Sequence, residues 1–379
     1  MTQPPTGVHE IAERVRRAAA QGMPLRIRGG GSKDFHGLAL QGEVLDTRGL
    51  AGVVSYEPSE LVVTVRAGTP LAELEALLAA QGQCLAFEPP HFDREGTAHA
   101  TVGGMVAAGL SGPARASVGA VRDFVLGLEM VNGRGELLRY GGQVMKNVAG
   151  YDVSRLMAGA WGTLGLLTEL SLKVLPQAPA EATLRFECSQ GQALDWLNAW
   201  GGQPLPLNAS CWLQEAGARQ GLLYVRLRGA RAAIQAACPR MGGERLDPGT
   251  AAADWQACRE QGLPWFARRA ADHGLWRLSL PQTAPVLDLP HGCTEPLVEW
   301  HGALRWVQAP RHQGAALQAL ARAAGGSATL FRGEPGTDRG GAAIVDGQVC
   351  ATTALLHQRL KHAFDPAGIF NRGRLSAAW

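Results

Sequence analysis

Two short stretches of this sequence carry almost no side-chain bulk, and they restrict what the chain can fold into. The first is Gly29-Gly30-Gly31-Ser32-Lys33, and the second lies within residues 96–112, where glycine and alanine recur. Glycine supplies 49 of the 379 residues, which is about 13% where ~7% is typical. Such positions are needed where the backbone has a positive φ, or where a ligand or another backbone approaches closely.

The spacing of apolar residues predicts that the first glycine stretch follows a strand. Apolar residues at helical spacing predict a helix over 8–21, and 25–28 is predicted as a strand that runs directly into Gly29. A helix over 69–81 is predicted to begin with Thr69 as N-cap and Pro70 at its first position. Further elements are predicted along the chain: strands at 43–46, 61–67, 124–131, 136–140, 164–175 and 221–227, and helices at 152–158, 230–238 and 355–364. A linker is predicted at 176–180, and nine of the ten tryptophans lie after residue 180.

Charge and cysteine spacing exclude several classes of protein. The formal net charge is only +3 and the basic residues are scattered, which argues against a nucleic-acid binder. No apolar run approaches the ~20 residues of a membrane-spanning helix, and no secretory signal is recognisable at the N-terminus. The seven cysteines are too far apart in the sequence for a zinc or iron–sulfur motif, so no metal is expected. The cytoplasm is the expected location, with membrane association only through partners.

The first glycine stretch is suited to binding a pyrophosphate. Successive backbone N–H groups form a concave anion site, and Ser32 and Lys33 add side-chain donors. A glycine triplet is also an ordinary turn, so the stretch by itself leaves both interpretations open. It is neither a Walker loop nor a Rossmann fingerprint, because GxxxxGK[ST] and a helix-opening GxGxxG are both absent there. The second glycine-rich stretch is interpreted as another loop that binds phosphate. Two such loops favour a large dinucleotide as the ligand that lies between them.

The order of motifs resembles the FAD-binding domain of the vanillyl-alcohol oxidase and p-cresol methylhydroxylase superfamily. The segments that carry the resemblance are 28–33, 56–71, 101–107, 119–127, 150–152, 162–169, 364–366 and Asn371. Within that superfamily the chain resembles the FAD-binding E subunits of bacterial glycolate oxidases, on segments 88–91, 144–152 and 302–306. The resemblance covers nearly the whole chain and is tightest before residue 176.

The resemblance implies an α+β fold and a set of cofactor contacts. A two-subdomain FAD-binding domain of the p-cresol methylhydroxylase type is implied over 1–176, an α+β cap domain that binds substrate or a partner over 181–345, and a segment at 346–379 that packs back on the first domain. FAD would be bound noncovalently, since the first glycine loop lacks the histidine of flavinylated relatives. Arg372 replaces the usual proline of an NPG[RK] ending beside Asn371. The implied cofactor-binding residues are Gly29, Gly30, Gly31, Ser32, Lys33, Pro90, Thr101, Gly103, Gly104, Ala107, Gly109, Gly112, Gly162, Gly165, Thr168 and Asn371.

The sequence offers few candidates for catalysis. His91 follows a Pro-Pro turn and is the candidate polar side chain near the flavin ring, with a solvated loop histidine as the alternative. Lys146 is a candidate to neutralise phosphate, with an exposed loop lysine as the alternative. Oxidation of a 2-hydroxy acid needs a base for the hydroxyl proton and a cation for the carboxylate. The catalytic relatives carry an HxGDGNxH-like motif in the cap domain, and this sequence lacks it.

The resemblance therefore implies an FAD-binding subunit of a multisubunit glycolate oxidase that supports oxidation of glycolate to glyoxylate and is not active alone. The implied partners are a catalytic flavoprotein, the D subunit, and an iron–sulfur F subunit that takes the electrons onward. Two alternatives stay open. One is a stand-alone FAD-dependent 2-hydroxy-acid dehydrogenase, acting for example on D-lactate, and the other is a non-catalytic FAD-binding scaffold.

Overall fold

The computed structural model describes residues 7–93, 99–142, 151–333 and 350–377, and it is a mixture of helices and strands. The helices are α1 (Val8–Gln21), α2 (Leu71–Ala80), α3 (Val102–Ala108), α4 (Arg115–Val118), α5 (Val153–Met157), α6 (Gln190–Gly201), α7 (Arg231–Met241), α8 (Pro248–Arg259), α9 (Pro264–Ala267), α10 (Gly314–Ala323) and α11 (Ala351–Phe364). The strands are β1 (Leu25–Arg28), β2 (Glu43–Asp46), β3 (Val53–Glu57), β4 (Val62–Arg66), β5 (Gln83–Cys84), β6 (Val125–Val131), β7 (Leu137–Gly141), β8 (Leu166–Lys173), β9 (Leu175–Pro176), β10 (Ala180–Cys188), β11 (Leu207–Leu213), β12 (Gly221–Gly229), β13 (Glu244–Arg245), β14 (His273–Ser279), β15 (Leu297–Glu299), β16 (Leu304–Pro310) and β17 (Ser327–Arg332). The predicted α+β class is confirmed.

The described residues form two compact units. The first unit contains residues 7–93, 99–110, 120–142, 151–177 and 350–377, and the second contains 111–119 and 178–333. The sequence-based bounds place 111–119 in the first domain, whereas in the structure this segment groups with the second unit. The reason is local packing: α4 lies against β11, and the indole N–H of Trp300 donates to the carbonyl of Gly112 at 2.9 Å.

Helix α1 and the parallel pair β1–β2 form the core that carries the first glycine stretch. Leu25 is opposite Glu43 and Arg28 is opposite Asp46, so both strands end together just before Gly29. Burying an aliphatic or aromatic side chain stabilises the fold by ~1.5–3 kcal/mol. The core of this region consists of almost fully buried apolar residues: Ile11, Ala12, Val15, Ala18, Leu25, Leu45, Leu50, Val131, Leu166, Ile369 and Phe370.

An antiparallel sheet of five strands, in the order β3-β4-β8-β6-β7, supports the other elements of the first unit. The predicted hairpin is confirmed, because β6 and β7 pair around Asn132, whose side-chain oxygen accepts from the N–H groups of Arg134 and Glu136 at 3.0 Å each. β3 was not predicted. The side chains of β3 are exposed or half-buried, and the two adjacent valines Val53 and Val54 are both exposed. The strand therefore lacks the alternation of apolar and polar residues by which a half-buried strand is recognised in a sequence.

Two local predictions are wrong. Thr69 is not the N-cap of α2, because its hydroxyl donates to the carbonyl of Arg66 at 2.7 Å and the helix begins at Leu71. The second glycine-rich stretch is not a loop throughout, since it contains α3. Thr101 caps this helix by accepting from the N–H of Gly104 at 3.2 Å, and Gly109 ends it with a φ of 64°.

The second unit is built on an antiparallel sheet of eight strands in the order β13-β10-β12-β11-β15-β16-β14-β17. The predicted strand at 221–227 and helix at 230–238 are confirmed as β12 and α7. A core beneath α6 and α7 contains Trp212, which is 1% exposed and donates its indole N–H to the carbonyl of Cys188 at 3.1 Å.

The C-terminal segment returns to the first unit, as the resemblance implies. The N–H of Leu25 donates to the carbonyl of Ile369 at 2.8 Å, and the N–H of Asn371 donates to the carbonyl of Leu25 at 3.0 Å. These bonds add residues from the end of the chain beside β1. The segment therefore lies next to the first glycine stretch.

Candidate cofactor-binding site

The loop after β1 presents a row of backbone N–H groups. Within the described residues, no acceptor lies at hydrogen-bond distance from the N–H groups of Gly29, Gly30, Gly31 or Ser32. Gly31 has a φ of 78°, which favours glycine. A Cβ at Gly30 would lie 1.5 Å from the carbonyl oxygen of His99, so only glycine fits there. Successive N–H groups in such a turn bind anions.

Two buried cations, Lys33 and Arg374, line the cavity at this loop. Arg26 and Arg28 both donate to Oδ2 of Asp34, at 2.6 and 2.8 Å. Arg374 is 7% exposed and donates through Nη1 to the carbonyl of His36, while its Nε has no hydrogen-bond partner within the described residues. Burial lowers the pKa of Arg374 to about 10, which leaves it charged at neutral pH. A buried guanidinium with an unsatisfied N–H is suited to an anionic ligand.

Helix α3 brings small residues to the same place. A Cβ at Gly29 would lie 2.4 Å from Oγ1 of Thr101, and a Cβ at Gly103 would lie 2.7 Å from Cβ of Ala67. These two glycines are therefore required by packing. A Cβ at Gly104 would meet only Oγ1 of Thr101, at 3.1 Å, so Gly104 is open on the cavity side.

Asn371 fixes one wall of the site through protein contacts. Its Oδ1 accepts from the N–H of Ile27 at 2.8 Å, and its Nδ2 donates to the carbonyl of Trp161 at 2.7 Å. A Cβ at Gly162 would lie 2.6 Å from this Nδ2, which explains glycine with a φ of 71° at that position. Both ends of the Asn371 amide are used in joining β1 to the turn at 161–162, so it is a positioning residue.

These elements enclose a cavity of about 90 Å³. It is smaller than the ~300–1,000 Å³ of sites that enclose a whole drug-sized ligand, but it suits a phosphate-sized group. The N–H row and Arg374 therefore fit the diphosphate part of a dinucleotide such as FAD. The predicted cofactor-binding residues that line this cavity are Gly29, Gly30, Gly31, Ser32, Lys33, Thr101, Gly103, Gly104, Ala107, Gly162, Gly165 and Asn371.

Four predicted residues lie outside the cavity lining: Pro90, Gly109, Gly112 and Thr168. Gly109 ends α3 and packs on Gly159, where an added Cβ would lie 2.8 Å from the backbone. Gly112 belongs to the second unit. The hydroxyl of Thr168 donates to Glu129 at 3.1 Å, within the five-stranded sheet.

His91 is held by carboxylates and does not line the cavity. Its Nε2 lies 2.9 Å from Oε2 of Glu75, and its Nδ1 lies 3.8 Å from Oδ2 of Asp93. Its backbone carbonyl accepts from Nζ of Lys33 at 3.1 Å, so His91 helps to orient a lysine that does line the cavity. Lys146, the other candidate, lies outside the described residues.

Arg374 and Trp161 also line this cavity, and neither was predicted as a cofactor-binding residue. The guanidinium of Arg374 lies 5.3 Å from the ring centroid of Trp161, and the rings of Trp161 and His36 are 4.7 Å apart. A signal for Arg374 was present, because it occupies the final basic position of the NPG[RK]-like ending that was noted for Asn371.

A second group of polar side chains lies in the second unit. Trp300, His301 and Gly302 all have positive φ, and the guanidinium groups of Arg115 and Arg277 lie 4.4 and 5.2 Å from the Trp300 ring centroid. No carboxylate lies within ion-pair distance of Arg277 among the described residues. Burial and then the charge of Arg115 lower the pKa of Arg277 to about 10. This unpaired cation is suited to a small carboxylate.

His301 is hydrogen-bonded on both ring nitrogens. Nδ1 lies 3.0 Å from the hydroxyl of Ser210, and Nε2 lies 3.1 Å from that of Ser117. Burial lowers the pKa of His301 to about 4, so the ring is neutral at physiological pH.

No group of three or more His, Cys, Asp or Glu side chains within the described ranges is arranged to hold a metal ion. No helix in the same ranges is both long enough and apolar enough to cross a lipid bilayer.

Comparison with known proteins agrees with this description. A family model described as an FAD binding domain matches residues 4–141. The chain is 45% identical to glycolate oxidase subunit GlcE of Escherichia coli over 370 residues, which cover 97% of each protein. It is 31% identical to glycolate oxidase subunit GlcD of Bacillus subtilis over 48% of this chain and 38% of that protein.

More distant similarities extend to other hydroxy-acid enzymes and to solved structures. A D-2-hydroxyglutarate dehydrogenase of Xanthomonas citri is 29% identical over 78% of this chain and 61% of that protein. The structure of an alkyldihydroxyacetonephosphate synthase superposes with a TM-score of 0.64 at 15% identity, covering 97% of this chain and 76% of that one, which supports the fold. The glycine loop and the buried Arg374 fit a diphosphate, and the chain is 45% identical to GlcE over 97% of its length. The chain therefore belongs to the family of glycolate oxidase subunit GlcE, within the FAD-binding oxidoreductases.

Proposed function

We propose that this chain is the FAD-binding subunit of a multisubunit glycolate oxidase, which oxidises glycolate to glyoxylate and passes electrons to an iron–sulfur subunit. The observation that carries the proposal is the N–H row of Gly29 to Ser32 beside the unsatisfied Nε of Arg374. The similarity to GlcE over 97% of both proteins supports it.

The chain's own residues would hold and orient FAD, noncovalently. The N–H groups at the end of β1 bind the diphosphate, and Arg374 neutralises its charge. Asn371 keeps the turn at 161–162 in place against Ile27. When bound, FAD supplies the two-electron acceptor for oxidation of a hydroxy acid.

A partner is expected to supply the chemistry of the substrate. His91 is engaged by Glu75 and lies outside the cavity lining, which argues against it as the base. The sequence also lacks the HxGDGNxH-like motif of the catalytic relatives. We therefore propose that a D-type flavoprotein abstracts the hydroxyl proton and that an F-type iron–sulfur subunit carries electrons onward, with any membrane association arising through these partners.

The first test is the flavin absorbance of the purified chain, followed by anaerobic addition of glycolate or D-lactate. The chain is expected to contain flavin that neither substrate bleaches until the partner subunits are added. Bleaching of the isolated chain would overturn the requirement for partners, and absence of flavin binding would overturn the proposal as a whole.

A glycine variant tests where the diphosphate lies. Gly104→Ala adds a methyl group on the cavity side, 3.1 Å from Oγ1 of Thr101, so this close contact offsets the gain in helix propensity and stability is expected to change by less than ~1 kcal/mol, while affinity for FAD falls at least tenfold. Gly142→Ala is the matched control, because a Cβ there meets nothing within 4 Å. Titration with FAD and a thermal melt distinguish the two effects. A folded G104A protein with unchanged affinity would contradict this placement.

One observation favours the second candidate, a stand-alone 2-hydroxy-acid dehydrogenase. Arg277 and Arg115 beside Trp300 could supply the cation for a substrate carboxylate. The same bleaching experiment distinguishes the candidates: this alternative requires bleaching by glycolate or D-lactate without partners, and loss of that bleaching in Arg277→Ala while the flavin spectrum stays unchanged.

A further inference from the structure

A cavity of about 520 Å³ lies within the second unit. It is bounded by one face of the eight-stranded sheet, by α8 and α9, and by the turn between β11 and β12. Its volume falls within the ~300–1,000 Å³ of small-molecule sites, whereas close-packed protein interiors seldom leave voids larger than a water molecule. This space is therefore large enough to receive a ligand.

The cavity is separate from the residues around Trp300. Thr294 and Gln308 line it near the start of β15 and the end of β16, and the N–H of Gln308 donates to the hydroxyl of Thr294 at 3.1 Å. Trp300 follows the other end of β15. Trp300 itself does not line the cavity, although Cys211 and Cys258 of the lining contact its neighbour Glu299.

The walls of the cavity are apolar and held in place. The indole N–H of Trp255 donates to the hydroxyl of Thr183 at 2.9 Å, and that of Trp265 donates to the carbonyl of Glu295 at 3.3 Å. The thiol of Cys258 donates to Glu299 at 3.0 Å. Its pKa is raised well above the usual value by its neighbour Cys211 and by burial, so this part of the lining is neutral. Since these polar groups are already satisfied, the walls offer mainly aromatic and aliphatic surface.

The charged groups of the lining are mostly acidic. Glu215, Asp254 and Glu295 contribute carboxylates, and Arg268 lies 3.8 Å from Glu215. Within the described residues, neither Asp254 nor Glu295 has a cation at ion-pair distance. One paired and two unpaired carboxylates leave a net negative rim on an apolar cavity.

Tyr224 adds a donor between these charges. Its hydroxyl has no hydrogen-bond partner among the described residues. Burial raises its pKa, the nearby charge of Arg185 lowers it, and the charges of Asp254 and Glu215 raise it again, so the pKa lies above its ordinary value and the phenol stays protonated at neutral pH. The site thus combines aromatic walls, an available hydroxyl and unpaired carboxylates.

We propose that this cavity binds a small organic cation, an amine or guanidinium attached to a flat apolar body. The apolar body would displace water from the walls between the sheet and α8. The cationic group would lie against the carboxylates of Asp254 and Glu295. This ligand site does not depend on FAD or on oxidation of glycolate.

Three probes with one ring system and different charges test the proposal on the full-length chain. They are 1-naphthylmethylamine as the cation, 1-naphthalenemethanol as the neutral analogue and 1-naphthoate as the anion, each titrated by isothermal calorimetry at low salt. The amine is expected to bind at least about tenfold more tightly than the alcohol, and the anion most weakly. Equal affinities for the three probes, or no binding of the amine, would overturn the proposal.

Charge variants identify the responsible carboxylates. Asp254→Asn and Glu295→Gln change exposed positions, so both proteins are expected to fold, and each should bring the amine closer to the alcohol in affinity while leaving the alcohol unchanged. Asp195→Asn is the matched control, because it removes an exposed carboxylate on α6, outside this lining. If D195N lowers the affinity for the amine as much as D254N does, the preference is a general charge effect and the site is refuted.

Discussion

At the scale of single residues, the turn at Trp300, His301 and Gly302 is the most strained feature described. Their φ values are 54°, 56° and 101°. A left-handed backbone is uncommon for tryptophan and histidine. Two buried hydrogen bonds hold this backbone conformation. The hydroxyl of Ser210 accepts from the N–H of His301 at 2.9 Å, and the indole N–H of Trp300 donates to the carbonyl of Gly112. The strain is thus maintained by specific buried contacts.

His301 is expected to make the second unit sensitive to acid. Its pKa of about 4 in the folded state is below its ordinary value of 6.5, so between these pH values the unfolded chain binds more protons. Stability should therefore fall by up to ~3 kcal/mol as pH drops from 6.5 to 4. Urea unfolding at several pH values, followed in the second unit, measures this.

The variant His301→Asn supplies the comparison, since asparagine tolerates a positive φ but does not titrate. Its stability should depend less on pH over the same range. His312→Asn replaces an exposed histidine and serves as the control. An H301N protein whose pH profile matches the wild type would show that burial of this imidazole is not the cause.

At the scale of elements, α11 anchors the C-terminal segment through a buried ion pair. Nζ of Lys361 donates to Oδ2 of Asp365 at 2.7 Å, to the carbonyl of Thr163 at 2.8 Å and to that of Phe370 at 2.9 Å. Asp365 in turn accepts from the N–H groups of Ile369 and Phe370. This network sets the path of the chain from α11 to Asn371, and so positions a wall of the proposed FAD site.

Lys361→Met is expected to detach this anchor. The substitution leaves Asp365 buried without its cation, which costs ~3–5 kcal/mol. Hydrogen exchange should then speed up at Leu25 and Asn371, whose N–H groups bond across the two segments. Arg359→Met, on the exposed side of the same helix, is the control. Unchanged exchange in K361M would mean that the segment is held by apolar packing alone.

At the scale of the whole molecule, FAD is expected to stabilise one unit selectively. The residues that line the proposed diphosphate site belong to the first unit. A ligand at a hundred times its Kd stabilises the state that binds it by ~2.7 kcal/mol. Hydrogen exchange with added FAD should slow at 29–32, where N–H groups gain acceptors, and stay unchanged in β12 of the second unit. Slower exchange in β12 alone would place the cofactor elsewhere.

Helices, strands and turns that are determined by residues close together in the sequence could be predicted from the sequence. The helix at 8–21, the strand at 25–28 and the β6–β7 hairpin follow from apolar spacing and turn residues, and all three are confirmed. The glycine loop after β1 was recognised because a strand that runs into three glycines is a local pattern. The segment 102–108 is predicted as part of a phosphate-binding loop because its residues have little side-chain bulk, yet it is helical. Thr101 caps it, and the close contact of Gly103 with Ala67 favours the helix.

The α+β class, the family and the glycine loop proposed to bind a diphosphate could all be predicted from the order of residue types along the chain. The side chains that complete the proposed site could not, because they come from segments far apart in the sequence. Arg374 reaches the loop because the C-terminal segment pairs beside Leu25, far away in sequence. Within the described residues the buried Nε of Arg374 has no hydrogen-bond partner, and this depends on the packing around it and not on the spacing of residues in the sequence.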